Sequence, residues 1–121
     1  MRVNAYEPDV AFLPMIDKYQ QVSEIFHLLS HPARLQILDE LRRDPACVCH
    51  LEAVLDKPQA YVSQQLRVLR EAGAVGDRRD GLFVYYRLVD DQVEQLLEEV
   101  LGPAGRRTEP IECPCPHCDS E

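Results

Sequence analysis

The chain has 121 residues, of which 45% are hydrophobic and 28% are charged, as in one ordinary globular domain. It has no long apolar run and no apolar signal-peptide core near its start, so we expect a cytoplasmic protein without membrane contacts. In that reducing compartment, its five cysteines are expected to bind metal ions or sense oxidants rather than form structural disulfides.

The net charge of −8 at first argues against a nucleic-acid partner, but the charge is unevenly distributed. Between Lys57 and Arg87 there are six basic and three acidic residues, a local balance of +3, so the remainder carries −11. Local charge, rather than global charge, determines where an anionic partner can dock. This segment is therefore a candidate nucleic-acid interface.

Apolar residues recur at helical spacing in five segments that turn-forming residues separate. Pro32 suits the first turn of the second helix, which Ser30 or His31 can cap, and Gly73 ends the fourth helix. We expect the arm 1–14 to be loosely ordered. The predicted helices span residues 15–29, 32–43, 46–55, 59–72 and 90–101.

The spacing of the apolar residues changes after the fourth helix. Residues 74–89, "AVGDRRDGLFVYYRLV", contain β-branched and aromatic residues around a turn near Asp80 and Gly81 and predict a two-stranded hairpin. The fold class is therefore mainly α with a β-hairpin wing, a winged helix-turn-helix in the order α-α-α-α-β-β-α. This domain covers residues 15–101, and residues 102–121 form a cysteine-rich tail that we expect to be flexible.

In a winged helix-turn-helix, the second helix of the motif enters the major groove of DNA, and the wing reaches phosphates or the minor groove. The helix over 59–72 has a polar face suited to this role, although the same pattern is also typical of a solvated helix face. The arginine-bearing hairpin directly after it favours DNA. The candidate DNA-binding residues are Gln59, Tyr61, Ser63, Gln64, Gln65, Arg67, Arg70, Arg78 and Arg79.

Four motifs in residues 25–89, about half of the chain, together resemble the ArsR/SmtB family of metal-responsive repressors. They are the helix entry "SHPARL", a "CVC" at the start of the third helix, the recognition helix "VSQQLRVLREAGAV" and the second wing strand "GLFVYYRL". The resemblance implies a homodimer formed by the first and last helices. It also implies binding to an inverted-repeat operator, with release when a metal ion or metalloid binds.

The resemblance indicates where that inducer binds. Cys47 and Cys49 match a family site at the "CVC", but Glu52 stands where arsenic-sensing relatives have a third cysteine. A second site type of the family holds zinc through Asp and His residues on the last helix. We expect it to be absent here, because "DDQVEQLLEEVL" contains no histidine. Residues two apart do not share a helix face, so both sulfurs can bind one ion only if the third helix starts late or unwinds.

The tail "IECPCPHCDSE" supplies further candidate ligands in Cys113, Cys115 and Cys118, with His117 among them. These residues can form a three-thiolate site or a Cys₃His zinc site of their own, or fold over the "CVC" of the same or the partner chain. Thiolates select soft ions, so the expected inducers are arsenite, cadmium, lead or zinc, with no organic cofactor.

Two other functions remain open. A repressor of the same fold can sense oxidants or persulfide by forming a disulfide, which requires two reactive thiols and no ion. An interaction module that has lost DNA binding would agree with the overall negative charge. The sequence contains no Gly-rich phosphate loop and no recognisable catalytic constellation, so we do not expect an enzyme.

Overall fold

The computed structural model describes residues 13–105 and confirms a winged helix-turn-helix with five helices and a hairpin wing. Residues 1–12 of the predicted arm and residues 106–121 of the predicted tail lie outside this range. In chain order the elements are α1 (Leu13–Leu29), α2 (Pro32–Leu41), β1 (Ala46–Cys47), α3 (Val48–Leu55), α4 (Gln59–Glu71), β2 (Val75–Asp80), β3 (Phe83–Leu88) and α5 (Asp91–Leu101).

The helix predicted over residues 46–55 begins later than expected, because its first two residues form the strand β1. In β1, Ala46 lies opposite Tyr86 and Cys47 lies opposite Tyr85, both on β3. The wing is therefore part of a three-stranded antiparallel sheet with the order β1-β3-β2. This third strand joins the start of α3 directly to the wing.

The hydrophobic core lies between α2, α3, α4, α5 and one face of the sheet, with Leu28 of α1 at its margin. Burial of these apolar side chains is the main stabilising contribution, at about 25 cal/mol per Å² of surface removed from water. The fully buried side chains at its centre are Ile37, Leu38, Leu51, Leu66, Leu69, Leu97, Val62 and Val93.

A tight turn between α3 and α4 sets the geometry of the helix-turn-helix. Asp56 ends α3 in the left-handed region at φ 56°, and its backbone N–H donates to the carbonyl oxygen of Glu52. Aspartate tolerates this conformation better than most residues. Pro58 follows as the N-cap of α4, where its fixed φ suits the entry into a helix. The two helices then pack through the core.

The apolar stripe predicted on α1 is largely exposed rather than buried. Tyr19 and Phe26 are 65% and 57% exposed, and Val100 near the end of α5 is 77% exposed. Large apolar side chains exposed on two helices at once are a candidate contact surface. None of the helices within residues 13–105 is long and apolar enough to cross a membrane.

Candidate nucleic-acid interface and cysteine site

The outer face of α4 carries most of the predicted DNA-binding side chains. Gln59, Ser63, Gln64, Arg67 and Arg70 are all exposed, and the half-buried Tyr61 lies beside them. The opposite face packs into the core through apolar side chains. The arrangement leaves glutamine amides and two guanidinium groups on one solvent-facing surface. These groups can donate hydrogen bonds to the acceptor atoms of base edges and phosphates.

Gln65 does not belong to this surface. Its side chain is only 8% exposed, and its Oε1 accepts a hydrogen bond from Nη1 of Arg34 on α2 at 3.3 Å. Arg34 also donates to the carbonyl oxygens of Leu28 and His27 at the end of α1. The prediction that Gln65 contacts DNA does not fit this placement, since its amide lies on the inner face and joins three helices.

The wing arginines Arg78 and Arg79 are exposed on β2, as the sequence predicted. The guanidinium of Arg70 on α4 lies 3.3 Å from the carboxylate of Asp77, which ties the end of α4 to the wing. Both side chains of this pair are partly exposed, so the pair adds little stability. A DNA phosphate near Arg70 would have to compete with Asp77 for the same donors.

The cysteine pair is brought together by the late start of α3. Cys47 has extended backbone angles (φ −87°, ψ 170°) and is the N-cap, whereas Cys49 lies in the first turn of the helix. Because one residue is extended and the other helical, their Sγ atoms converge to 2.9 Å. The two sulfurs therefore come together at the start of α3 without any unwinding of that helix.

This distance lies between those of two chemical states. A disulfide bond would shorten the distance between the sulfurs to about 2.05 Å. Two thiolates on one tetrahedral metal ion, with metal–sulfur bonds of about 2.3 Å, would be about 3.8 Å apart. Either state therefore requires the sulfurs to move by less than about 1 Å.

Cys47 is buried against Tyr85, with Cys49 and Phe83 beside them. His50 follows Cys49 in the chain, and its Nε2 lies 2.8 Å from Oε2 of Glu40; the two side chains are 4% and 3% exposed. The sequence alone gives no role to His50, and this contact with α2 explains its burial. No periodicity could have identified it, because α2 and α3 meet only in the folded chain.

Two arginines at the end of α2 hold the segment where the tail begins. Arg42 donates to the carbonyl oxygen of Gly102 at 2.8 Å, and Arg43 donates to that of Ala104 at 2.6 Å. Both guanidinium groups also bind Asp39, and Arg43 contacts Glu40 at 3.4 Å. Through Glu40 and its partner on α3, the root of the tail is connected to the neighbourhood of the cysteine pair. We call this group the arginine clasp.

The tail candidates Cys113, Cys115, Cys118 and His117 lie outside the described residues. Within residues 13–105, no three side chains of histidine, cysteine, aspartate or glutamate come together as a metal site. At the start of α5, the carboxylate of Asp90 accepts hydrogen bonds from the backbone N–H groups of Gln92 and Val93, which is a helix-capping role.

Comparison with known proteins agrees with this geometry. Residues 31–76 match the family model of bacterial regulatory proteins of the arsR family. A transcriptional repressor SmtB homologue from Synechocystis sp. is 40% identical over 99 residues, covering 82% of this chain and 73% of the relative. A cadmium resistance transcriptional regulatory protein CadC homologue from Staphylococcus aureus is 32% identical, covering 81% and 78%. The crystal structure of the AntR antimony-specific transcriptional repressor has a TM-score of 0.64 and 32% identity, covering 69% and 76%.

The fold is that of the winged helix-turn-helix class, and the family whose model matches residues 31–76 consists of DNA-binding regulators rather than enzymes. Within that class, the chain belongs to the ArsR/SmtB family of transcriptional repressors, as the sequence resemblance predicted.

Proposed function

We propose that the chain is an operator-binding repressor that releases DNA when a thiophilic metal or metalloid binds the thiolates of Cys47 and Cys49. The observation that carries the proposal is the 2.9 Å separation of the two sulfurs at the start of α3. An ion there opens this separation to about 3.8 Å. The opening moves the first turn of α3, and α4 moves with it because the two helices share a core.

The DNA-binding form is a homodimer on an inverted-repeat operator. Tyr19, Val22 and Phe26 on α1 and Val100 and Leu101 on α5 are exposed apolar side chains, and a second copy of the chain would remove them from water. A dimer presents two copies of the polar α4 face, and two half-sites about 34–36 Å apart would then match its symmetry. Base and phosphate contacts come from Gln59, Tyr61, Ser63, Gln64, Arg67 and Arg70 on α4, and from Arg78 and Arg79 on the wing.

The inducer is a soft ion, because sulfur ligands select such ions over oxygen-seeking cations. Cadmium and antimony stand in the names of two of the similar proteins, which supports arsenite, cadmium, lead or zinc as inducers here. Two thiolates satisfy such an ion only in part, since cadmium and zinc sites generally take four ligands and arsenite takes three thiolates.

The tail residues Cys113, Cys115 and Cys118, together with His117, supply the remaining ligands. The arginine clasp supports this assignment because it fixes Ala104 on the side of α2 that also contacts His50. Cys113 is nine residues beyond Ala104, and an extended chain of that length reaches about 30 Å. We propose that this length of chain brings the tail thiolates to the cysteine pair of the same subunit.

Titration of the purified protein with arsenite, cadmium, lead and zinc, while operator binding is followed by fluorescence anisotropy, tests the proposal. We expect at least one ion to release the operator from the wild type and none to release it from the Cys47→Ala/Cys49→Ala variant. The variant must bind the operator as tightly as the wild type without an ion. Release of the variant at the same ion concentration would refute the role of the pair.

A second candidate function is thiol-based sensing of oxidants or persulfide by the same fold. The sulfur separation also supports this reading, because 2.9 Å is only about 0.9 Å longer than a disulfide bond. The same titration distinguishes the two functions. Release by peroxide or polysulfide, with no release by any of the four ions, would replace the metal proposal by this one.

A further inference from the structure

The three-stranded sheet places one cysteine of the pair in the same cross-strand row as a wing arginine. Cys47 on β1 lies opposite Tyr85 on β3, and Tyr85 lies opposite Arg78 on β2. Residues directly opposite each other project from the same face of a sheet. The row therefore runs from the cysteine pair, through one aromatic ring, to the DNA-facing hairpin.

The side chains of this row are in contact. Tyr85 is 5% exposed and packs against the buried Cys47. The guanidinium carbon of Arg78 lies 5.8 Å from the centroid of the Tyr85 ring, within the distance at which a cation is attracted to an aromatic face. The neighbouring Arg79 lies opposite Val84 instead and takes no part in the row.

We propose that Tyr85 is a positioning residue that transmits the occupancy of the cysteine pair to Arg78, in addition to any movement of α4. This inference rests on the proposed function. An ion between the sulfurs enlarges the volume that the pair occupies. Because the surroundings of Cys47 are close-packed, the neighbouring side chains must move to make room. The Tyr85 ring shifts, and the guanidinium of Arg78 loses the aromatic face that holds it over the wing.

The expected size of the effect follows from the contact. A partly exposed cation–π contact changes an equilibrium by about two- to fivefold. A dimer contains two such contacts, so together they contribute about four- to twenty-five-fold to the ratio of operator affinities without and with the ion. This ratio is called the release ratio below. An inducer can change DNA affinity only through such a difference between the two states.

Arginine variants on the exposed hairpin provide the sharpest test, with cadmium chloride as the probe and operator affinity as the readout. Arg78→Ala and its matched control Arg79→Ala should both weaken operator binding and reduce its salt dependence, because each removes a cation from the wing. Only Arg78→Ala should lower the release ratio, by about four- to twenty-five-fold. An equal release ratio in both variants would overturn the proposal.

Tyrosine variants test the connection itself. Tyr85→Phe keeps the ring and should keep the wild-type release ratio, whereas Tyr85→Leu should lower it as much as Arg78→Ala does while cadmium affinity without DNA stays unchanged. In the Arg78→Ala background, Tyr85→Leu should have no further effect. A release ratio that is the same in the wild type and every variant overturns the coupling alone. A wild type that cadmium does not release contradicts the proposed function as well.

Discussion

Removal of the Glu40 carboxylate is the perturbation whose consequence can be worked out most directly from the structure. Glu40 on α2 is almost fully buried, and its Oε2 lies 2.8 Å from Nε2 of His50 on α3. A carboxylate can only accept, so the imidazole nitrogen donates. In Glu40→Ala this buried donor loses that acceptor, which costs about 1–3 kcal/mol.

Two further losses add to this. Arg43 loses a carboxylate contact at 3.4 Å, but its side chain is 21% exposed and still meets water, so this contribution is small. The shortened side chain also leaves a cavity between α2 and α3. We therefore expect Glu40→Ala to lower the free energy of unfolding by about 3 kcal/mol, close to the values for a broken buried pair. Glu40→Gln keeps an acceptor oxygen in the same place and should cost about 1 kcal/mol.

Urea unfolding followed by circular dichroism measures these values, at two protein concentrations because a dimer would contribute to stability. The double variant Glu40→Leu/His50→Leu replaces both partners by apolar side chains and should lie within about 1 kcal/mol of the wild type. If Glu40→Ala cost less than about 1 kcal/mol, or if the double variant were no more stable than the single one, our account of this contact would be wrong.

Three further predictions concern the surface and the tail. Phe26→Asp places a charge in the exposed apolar face of α1 and should convert the proposed dimer into monomers in sedimentation experiments; an unchanged mass would show that this face is not the dimer interface. Arg67→Ala should weaken operator binding and reduce the slope of log affinity against log salt by about 1, whereas an unchanged slope would remove Arg67 from the phosphate contacts. Substituting Ser for Cys113, Cys115 and Cys118 together should lower cadmium affinity about 100-fold or more, because tethered ligands are lost, and an unchanged affinity would leave the tail without a ligand role.

Much of the fold could be predicted because its elements carry local signals. The predicted start of the second helix was correct, and the structure shows that His31 rather than Ser30 caps it, through a hydrogen bond from the backbone N–H of Ala33. The hairpin turn follows from Gly81, which has a positive φ of 66°. The strand β1 could not be predicted in the same way. Two residues carry no period, and they are a strand only because β3 supplies the partner.

The candidate site was predictable in its residue types but not in its geometry. The spacing of Cys47 and Cys49 left open whether the helix starts late or unwinds, and only the pairing with β3 settles this. In sequence, Gln65 lies between the buried Val62 and Leu69, so the helical pattern allows its side chain on either the buried or the exposed face. The hydrogen bond from Arg34 that holds this side chain inward is a tertiary contact, which the pattern does not show. The spacing of apolar residues also identifies the stripe on α1, but it does not identify the surface that would cover this stripe.

Cys47, the N-cap of α3, has a structural role and a proposed ligand role that favour different amino acids. As an N-cap, position 47 would be served best by serine, threonine or aspartate, whose oxygen accepts from the first turn, and the sulfur of Cys47 makes no such bond. Serine there would gain about 0.5–2 kcal/mol for the helix start while removing a thiolate. In the proposed mechanism, a cysteine at position 47 lacks that stabilisation at the point where the first turn of α3 moves. Alanine, which also cannot cap, is therefore the neutral substitution for measuring what the sulfur does.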